Sequence, residues 1–180
     1  MSEFLGLAYF AEIPAVIWDI QRSGPSTGMP TRTQQGDLIG AAYASHGDTK
    51  HPLLFPSTPK ECFDFAAEAL DLADRLQTPI MVLSDLELGM NDNLSEPFEW
   101  DDSRRYNRGK VLSAKDLDEV EVFGRYLDVD GDGIGYRTYP GTHPEKGAFF
   151  TRGTSRDEFA VYTESGEVYQ RNMERLQKKW

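Results

Sequence analysis

Residues 59–83 read PKECFDFAAEALDLADRLQTPIMVL and decide the fold. The segment 59–77 places its apolar residues on one helical face, and Pro59 suits the first position of a helix, where a backbone N–H is not needed. Thr58 and Glu61 have the spacing of a capping box, and Thr78-Pro79 stops the helix. The run 80–83 is apolar without a break, which predicts a strand covered on both faces.

Two other short apolar runs, Pro14–Ile20 and Pro52–Phe55, predict two further strands. One helical pattern, Ser2–Ala11, precedes the first of these runs, and another, Gln34–Ala44, lies between the two. Strands that alternate with helices indicate a parallel sheet with right-handed crossovers. The sequence therefore predicts the α/β class, with a partial parallel sheet and flanking helices over residues 1–90.

The second half of the chain, residues 91–180, has a different character. Asn91–Gly109 is polar and lacks periodicity, which predicts an extended arm that is mobile or wraps a partner. Gly131–Gly153 is rich in glycine and turns. A closing helix is predicted over Glu167–Trp180, with one apolar stripe that docks on another surface: Tyr169, Met173, Leu176 and Trp180.

Composition excludes several classes of function. The 180 residues carry a formal net charge of -11, so the electric field of the protein repels nucleic acid and anionic membrane surfaces. No apolar run approaches the roughly 20 residues of a spanning helix, and the first residues lack the basic start of a signal peptide. A cytoplasmic location is the expectation. The single cysteine, Cys62, lies in an apolar helical stripe, which indicates a packing role.

The segment from Gln21 to Thr31 reads QRSGPSTGMPT and follows the first predicted strand. In open α/β sheets, ligands bind outside the carboxyl ends of strands. Arg22 offers a planar fork of donors suited to a carboxylate, and the glycines permit close backbone approach. The hydroxyls of Ser26, Thr27 and Thr31 complete a candidate site for a small anion. On composition alone, an ordinary surface loop is the alternative.

The run from Ala11 to Thr31 resembles the α subunit of 2-oxoacid:ferredoxin oxidoreductases, particularly the 2-oxoglutarate type. The resemblance continues through Ser45–Asp48, Pro59–Asp85, Asp130–Ile134 and the segments 140–144 and 151–153, so it covers essentially the whole chain. It implies the pyrimidine-type domain of thiamine-diphosphate enzymes. The implied reaction is oxidative decarboxylation of a 2-oxo acid to acyl-CoA, with electrons passed to ferredoxin.

The resemblance also assigns roles to residues. In that family the arginine and the final threonine of the loop motif line the 2-oxoacid pocket, and these correspond to Arg22 and Thr31. Ser26 and Thr27 are then expected around the substrate. No catalytic group and no metal ligand is expected from this chain. Thiamine diphosphate, magnesium and an iron–sulfur cluster are implied for the complete enzyme, held mainly by the partner β subunit.

Departures from the family leave alternatives open. An upstream glutamate that contacts the thiamine pyrimidine ring and a further C-terminal domain have no counterpart, so the chain is expected to be a fragment truncated at both ends. A non-catalytic subunit that only binds partners is the rival reading. A phosphate-binding module is a weaker one, because the loop lacks the Gly-Lys-Ser/Thr ending of a P-loop. Arg156 stands near the position where relatives often have a histidine.

Two motifs resemble metal sites without fitting them. Asp128–Gly133 copies the opening of a calcium loop, but Tyr139 stands where a bidentate glutamate is required. Gly131-Asp132-Gly133 resembles the start of a thiamine diphosphate–magnesium motif, but the later asparagine is missing. A tight turn is the better interpretation. The histidines at 46, 51 and 143 lack metal-ligand spacing, and His46 alone is kept as a candidate pocket residue against a solvated histidine.

Overall fold

The computed structural model describes residues 1–180. The chain divides into two compact units, Met1–Asn107 and Arg108–Trp180, whereas the sequence pattern placed the division after residue 90. Residues 91–107 belong to the first unit because they attach to one of its helices. Seven elements form the first unit: α1 (Ser2–Ala11), β1 (Ala15–Gln21), α2 (Leu38–Ala42), β2 (Leu53–Leu54), α3 (Pro59–Leu76), β3 (Pro79–Asp85) and α4 (Leu86–Met90). The second unit contains α5 (Ala114–Glu119) and α6 (Gly166–Gln177).

The sheet of the first unit has three parallel strands in the order β1-β3-β2. Strand β3 is central and buried along its whole length, as its unbroken apolar run predicts. Its register with β1 extends from Ala15 opposite Pro79 to Gln21 opposite Asp85. The predicted α/β class, with a parallel sheet and flanking helices, is confirmed.

Helices cover both faces of β3, because successive side chains of a strand point to opposite faces. On one face, Ile80 and Val82 pack against Ala69 and Ala73 of α3, and all four are at most 2% exposed. The small alanine side chains allow the helix to lie close to the sheet. On the other face, a second cluster joins α1 and α2 to the strand: Leu5, Ala41, Met81 and Leu83.

Helix α3 begins and ends where the sequence predicts, to within one residue. The hydroxyl of Thr58 accepts a hydrogen bond from the backbone N–H of Glu61 at 3.1 Å. The Glu61 carboxylate turns back and accepts bonds from the hydroxyl and backbone N–H of Ser57, which lower its pKa. Gln77 ends the helix with φ 50°, in the left-handed region. Half-buried Cys62 lies on this helix, and burial raises the pKa of its thiol.

The segment Asn91–Gly109, here called the arm, contains no helix or strand, as predicted. It is nevertheless attached to α3. The ring of Phe98 stacks on Phe63 with centroids 5.1 Å apart, and Trp100 meets the same ring edge-on at 6.3 Å. Whether the arm is mobile in solution stays a prediction.

In the second unit, cations surround a buried aromatic ring. The guanidinium of Arg156, a residue with no exposed surface, lies 3.8 Å from the centroid of Tyr126, and Arg125 and Arg175 lie at 5.0 and 5.8 Å. These distances suit cation–π contacts, which are strongest where water is excluded.

Helix α6 is present as predicted, and docking of its apolar stripe on another surface stays a prediction. Of the predicted stripe only Leu176 is fully buried, while Tyr169 and Trp180 are 48% and 40% exposed. The buried face consists of Asn172, Arg175 and Leu176. Asn172 donates to the carbonyl of Arg156 and Arg175 to that of Gly133 at 2.7 Å, so the helix docks through polar contacts that hydrophobic periodicity does not register. No helix of the chain has the length and apolar character needed to cross a membrane.

Candidate functional site

The candidate site lies at the carboxyl edge of the sheet. The three parallel strands end there, at Gln21, Leu54 and Asp85. Residues 22–37, here called the β1 loop, follow the first of these ends. A cavity of about 380 Å³ opens at the same edge and is lined by residues that include Gln35, Phe55, Ser57, Asp85 and Glu87. This is the crevice in which α/β sheets bind ligands.

The β1 loop is closed by hydrogen bonds near its neck. The backbone N–H of Ser23 donates to the carbonyl of Arg32 at 2.9 Å, and its hydroxyl donates to Gln34 Oε1 at 3.1 Å. Gly28 has φ 50°, and a Cβ there would lie 2.9 Å from the carbonyl oxygen of Gly24, so only glycine fits this close approach.

Two predicted site residues of this loop have unusual backbone angles. Ser26 has φ 53° and Thr31 has φ 55°, in the left-handed region that residues with a Cβ seldom adopt. Each such residue costs about 1 kcal/mol or more, and such costs concentrate at functional sites. Other interactions of the loop must therefore offset the free-energy cost of these two backbone conformations.

The four predicted substrate-binding residues, Arg22, Ser26, Thr27 and Thr31, all lie exposed on this one loop. The structure shows no contact among their side chains. Arg22 forms no ion pair within the chain, so its guanidinium is available to an anion.

The base of the loop is fixed by residues that the sequence analysis missed. Gln21, only 4% exposed, donates to the carbonyl of Ser84 at 3.2 Å and accepts from the backbone N–H of Asp37 at 3.2 Å. Asp85, 6% exposed, accepts from Gln35 Nε2 at 2.6 Å. Their sequence signal was slight: each is the polar last residue of a mostly apolar strand.

The acidic groups at this edge have their own electrostatic effects. Burial raises the pKa of Asp19 on β1, and the nearby carboxylate of Asp37 raises it further. The β1 loop itself carries two arginines, Arg22 and Arg32. An anionic ligand would depend on these guanidinium groups for attraction.

The aspartate turn at 128–133 is held by lysines. Lys110 lies 2.6 Å from Asp130 and 2.8 Å from Asp132. Lys178 lies 3.0 Å from Asp128. Burial acts to raise the pKa of Asp132, but the Lys110 ammonium overcomes it and holds that pKa below its usual range. The carboxylates neutralise ammonium groups, and no group of three or more His, Cys, Asp or Glu side chains is placed to hold a metal ion.

The histidines are dispersed. His51 is buried, with Nε2 3.0 Å from the carbonyl oxygen of Ala44 and its ring edge-on to Tyr9. His143 contacts Asp118 at 3.1 Å. The candidate His46 is exposed, 3.5 Å from the hydroxyl of Ser45, and does not line the cavity at the carboxyl edge. The solvated alternative describes it better.

Comparison with known proteins gives a family match over nearly the whole chain. Residues 1–176 match the family described as pyruvate flavodoxin/ferredoxin oxidoreductase, thiamine diP-bdg. The chain belongs to this family. The resemblance deduced from the loop motif is thereby confirmed.

Among similar proteins, the 2-oxoglutarate synthase subunit KorA of Methanocaldococcus jannaschii is 35% identical over 81% of this chain and 42% of its own length. The 2-oxoacid:ferredoxin oxidoreductase 1 subunit alpha of Sulfurisphaera tokodaii is 33% identical over 98% of this chain and 28% of its own length. The chain thus spans less than half the length of these relatives.

A solved structure shares the fold. It is a 2-oxoglutarate:ferredoxin oxidoreductase from Magnetococcus marinus with 2-oxoglutarate, coenzyme A and succinyl-CoA bound. The TM-score is 0.83 at 28% identity, over 99% of this chain and 30% of that one. The similarity therefore includes both compact units of the chain described above.

The family description names thiamine diphosphate, and the residues of this chain can be tested against that cofactor. Its diphosphate requires a divalent cation and oxygen ligands. The aspartates that could supply such ligands, Asp128, Asp130 and Asp132, are paired with lysines. The residues present do not fit the diphosphate and its cation, whereas the exposed Arg22 fits a carboxylate.

Proposed function

We propose that this chain is part of the α subunit of a 2-oxoacid:ferredoxin oxidoreductase and that it binds the carboxylate of the 2-oxo acid. The substrate proposed is 2-oxoglutarate, and the products are an acyl-CoA, carbon dioxide and electrons for ferredoxin. Family membership and the names of the similar proteins support this reaction. The solved relative that shares the fold has 2-oxoglutarate and coenzyme A bound.

One observation supports the role of this chain: Arg22 stands exposed, without an ion pair, on a loop at the carboxyl edge of a parallel sheet. A guanidinium remains charged at any working pH and can hold a carboxylate through two parallel hydrogen bonds. The hydroxyls of Ser26, Thr27 and Thr31 can donate to the remaining oxygens of the 2-oxo acid. The contribution of these groups is to orient the substrate.

Thiamine diphosphate, when bound, supplies the chemistry that allows the carboxylate to leave as carbon dioxide. In this proposal the partner β subunit holds the cofactor, its magnesium and the iron–sulfur cluster, because the residues of this chain do not fit the diphosphate and its cation. Ferredoxin and coenzyme A complete the set of partners, and a cytoplasmic location is part of the proposal.

The test is steady-state kinetics of the complete enzyme with substitutions at Arg22. Arg22→Ala removes a charge-assisted contact worth about 1.5–3 kcal/mol, which lowers kcat/KM by roughly ten- to a hundredfold. Arg22→Lys keeps the charge but loses the fork, and we expect an intermediate loss. Thiamine diphosphate affinity, measured by titration, should not change in either variant.

Arg32→Ala is the matched control, because it removes the same charge from the same loop. The guanidinium of Arg32 makes only a long, 3.4 Å contact with the carbonyl of Thr31. We expect kcat/KM near that of the parent enzyme. An unchanged kcat/KM in Arg22→Ala would refute the assignment, and equal losses in both variants would reduce it to a general charge effect.

A further inference from the structure

We propose that Gln35 and Asp85, together with Gln21, form a clasp that fixes the orientation of the β1 loop and so positions Arg22 for the substrate carboxylate. These are positioning residues, since none of them is assigned a contact with the substrate. The inference rests on the proposed function of Arg22 and names the groups on which that function depends.

Asp85 is the residue of the clasp that the sheet holds in place. It is the last residue of the central strand, it pairs with Gln21 in the register, and it is 6% exposed. Its two carboxylate oxygens have different partners: Oδ1 accepts from the backbone N–H of Leu88 at 3.2 Å and caps α4, while Oδ2 accepts from Gln35 Nε2 at 2.6 Å. A hydrogen bond to a buried carboxylate is among the stronger kinds in proteins.

Gln21 fastens the loop at a second point. Its amide group is used at both ends, because Nε2 donates to Ser84 O and Oε1 accepts from the backbone N–H of Asp37, both at 3.2 Å. Gln21 immediately precedes Arg22, and Asp37 is the last residue of the loop. Both ends of the β1 loop are thus tied to the end of β3.

The loop has few other means of holding its orientation. Residues 22–34 contain no helix or strand, and every one of them except Ser23 is exposed. The hydrogen bonds within this span, such as those of Ser23, fix the shape of the loop but not its direction relative to the sheet. The direction therefore depends on the clasp.

A loosened clasp has a distinct kinetic signature. If only a fraction of loops points correctly, apparent substrate affinity falls by that fraction, while the complex that does form reacts at the normal rate. The Michaelis constant for the 2-oxo acid rises and kcat is retained. A substitution that merely destabilises the fold removes active enzyme instead, and lowers kcat without raising KM.

The experiment is a charge swap across the clasp in the complete enzyme. Gln35→Glu places a second carboxylate against Asp85 Oδ2, and we expect KM for 2-oxoglutarate to rise on the order of tenfold, with kcat retained within about twofold. The double variant Gln35→Glu with Asp85→Asn restores an amide–carboxylate pair with the donor and acceptor exchanged, so KM should return to within about threefold of the parent. The α4 cap survives in both, because Asn retains an acceptor oxygen.

Glu96→Gln is the control. It removes an exposed carboxylate that does not line this cavity, so KM should be unchanged. Gln35→Ala, which leaves the α4 cap untouched, should raise KM in the same direction as Gln35→Glu. Thermal melting of each variant gives the folded fraction.

Three results would overturn the clasp: unchanged KM in Gln35→Glu, a fall in kcat at constant KM, or a double variant that is no better than the single. Arg22→Ala in the same assay separates this inference from the function on which it rests. If Arg22→Ala lowers kcat/KM and Gln35→Glu does not raise KM, only the clasp is wrong. If Arg22→Ala has no effect, the proposed function fails first.

Discussion

We expect Asp71→Ala to release the arm from α3. Asp71 lies on that helix, and its side chain is 13% exposed. Its carboxylate accepts two bonds from the arm: one from the backbone N–H of Asn107 at 3.0 Å and one from Arg104 at 3.3 Å. The substitution removes both acceptors and leaves the stacking of Phe98 on Phe63 in place.

The magnitude follows from the two contacts. A backbone hydrogen bond to a charged group contributes about 1.5–3 kcal/mol. The ion pair with Arg104, which is 35% exposed, adds at most about 1 kcal/mol. Because the two share one carboxylate and are not additive, we expect a loss of about 2 kcal/mol, or roughly thirtyfold in the equilibrium for opening the arm.

Amide hydrogen exchange measures this opening directly, since the N–H of Asn107 is itself a donor to Asp71. Asp64→Ala is the control on the same helix, because it brings the same gain in helix propensity and breaks only an exposed pair with Lys60. Exchange across 98–107 should accelerate in Asp71→Ala and not in Asp64→Ala. Equal exchange in the two variants would show that the arm is held by its aromatic rings alone.

Two further predictions concern the stability of the first unit. Burial lowers the pKa of His51, and bonds to the carbonyls of Ala44 and Pro79 offset this only in part. Its neutral form is therefore favoured by folding, so the free energy of unfolding should decrease as pH falls below about 6.5, and urea titrations of His51→Gln should show a weaker pH dependence. Ala69→Leu forces extra volume between α3 and β3, where Ala69 has no exposed surface; thermal or urea unfolding should show a loss of about 1–3 kcal/mol, and an unchanged midpoint would contradict the close packing.

The elements that the sequence predicts well are those with a local cause. Helix α3 has a cap, a proline at its start and a stripe of apolar residues, and β3 is an unbroken apolar run. Such signals act within a few residues, so they can be recognised without knowledge of distant contacts. The short helices α4 and α5 escaped prediction because one or two turns carry too little periodicity to be recognised.

The contacts that the sequence does not predict join residues far apart in the chain. Gln35 and Asp85 are fifty residues apart, and no sequence pattern around either residue predicts their contact. The burial of Asn172 and Arg175 on α6 was not predicted for a related reason: their side chains meet the carbonyls of Arg156 and Gly133. The residues of the candidate site were read from a motif, and their roles stay predictions.

The position of β3 in the sheet has a consequence for how the chain folds. The central strand is the last of the three to be synthesised, and β1 pairs with it across some 64 positions, from Ala15 to Pro79. Within this chain the outer strands share no ladder with each other, so this sheet cannot form until residue 79 and its successors are present. Closing such long loops is slow, because the chain loses conformational entropy before any stabilising contact forms. Nascent chains that end before β3 can form α1 and α3 but neither of these two ladders, so the three strands assemble together.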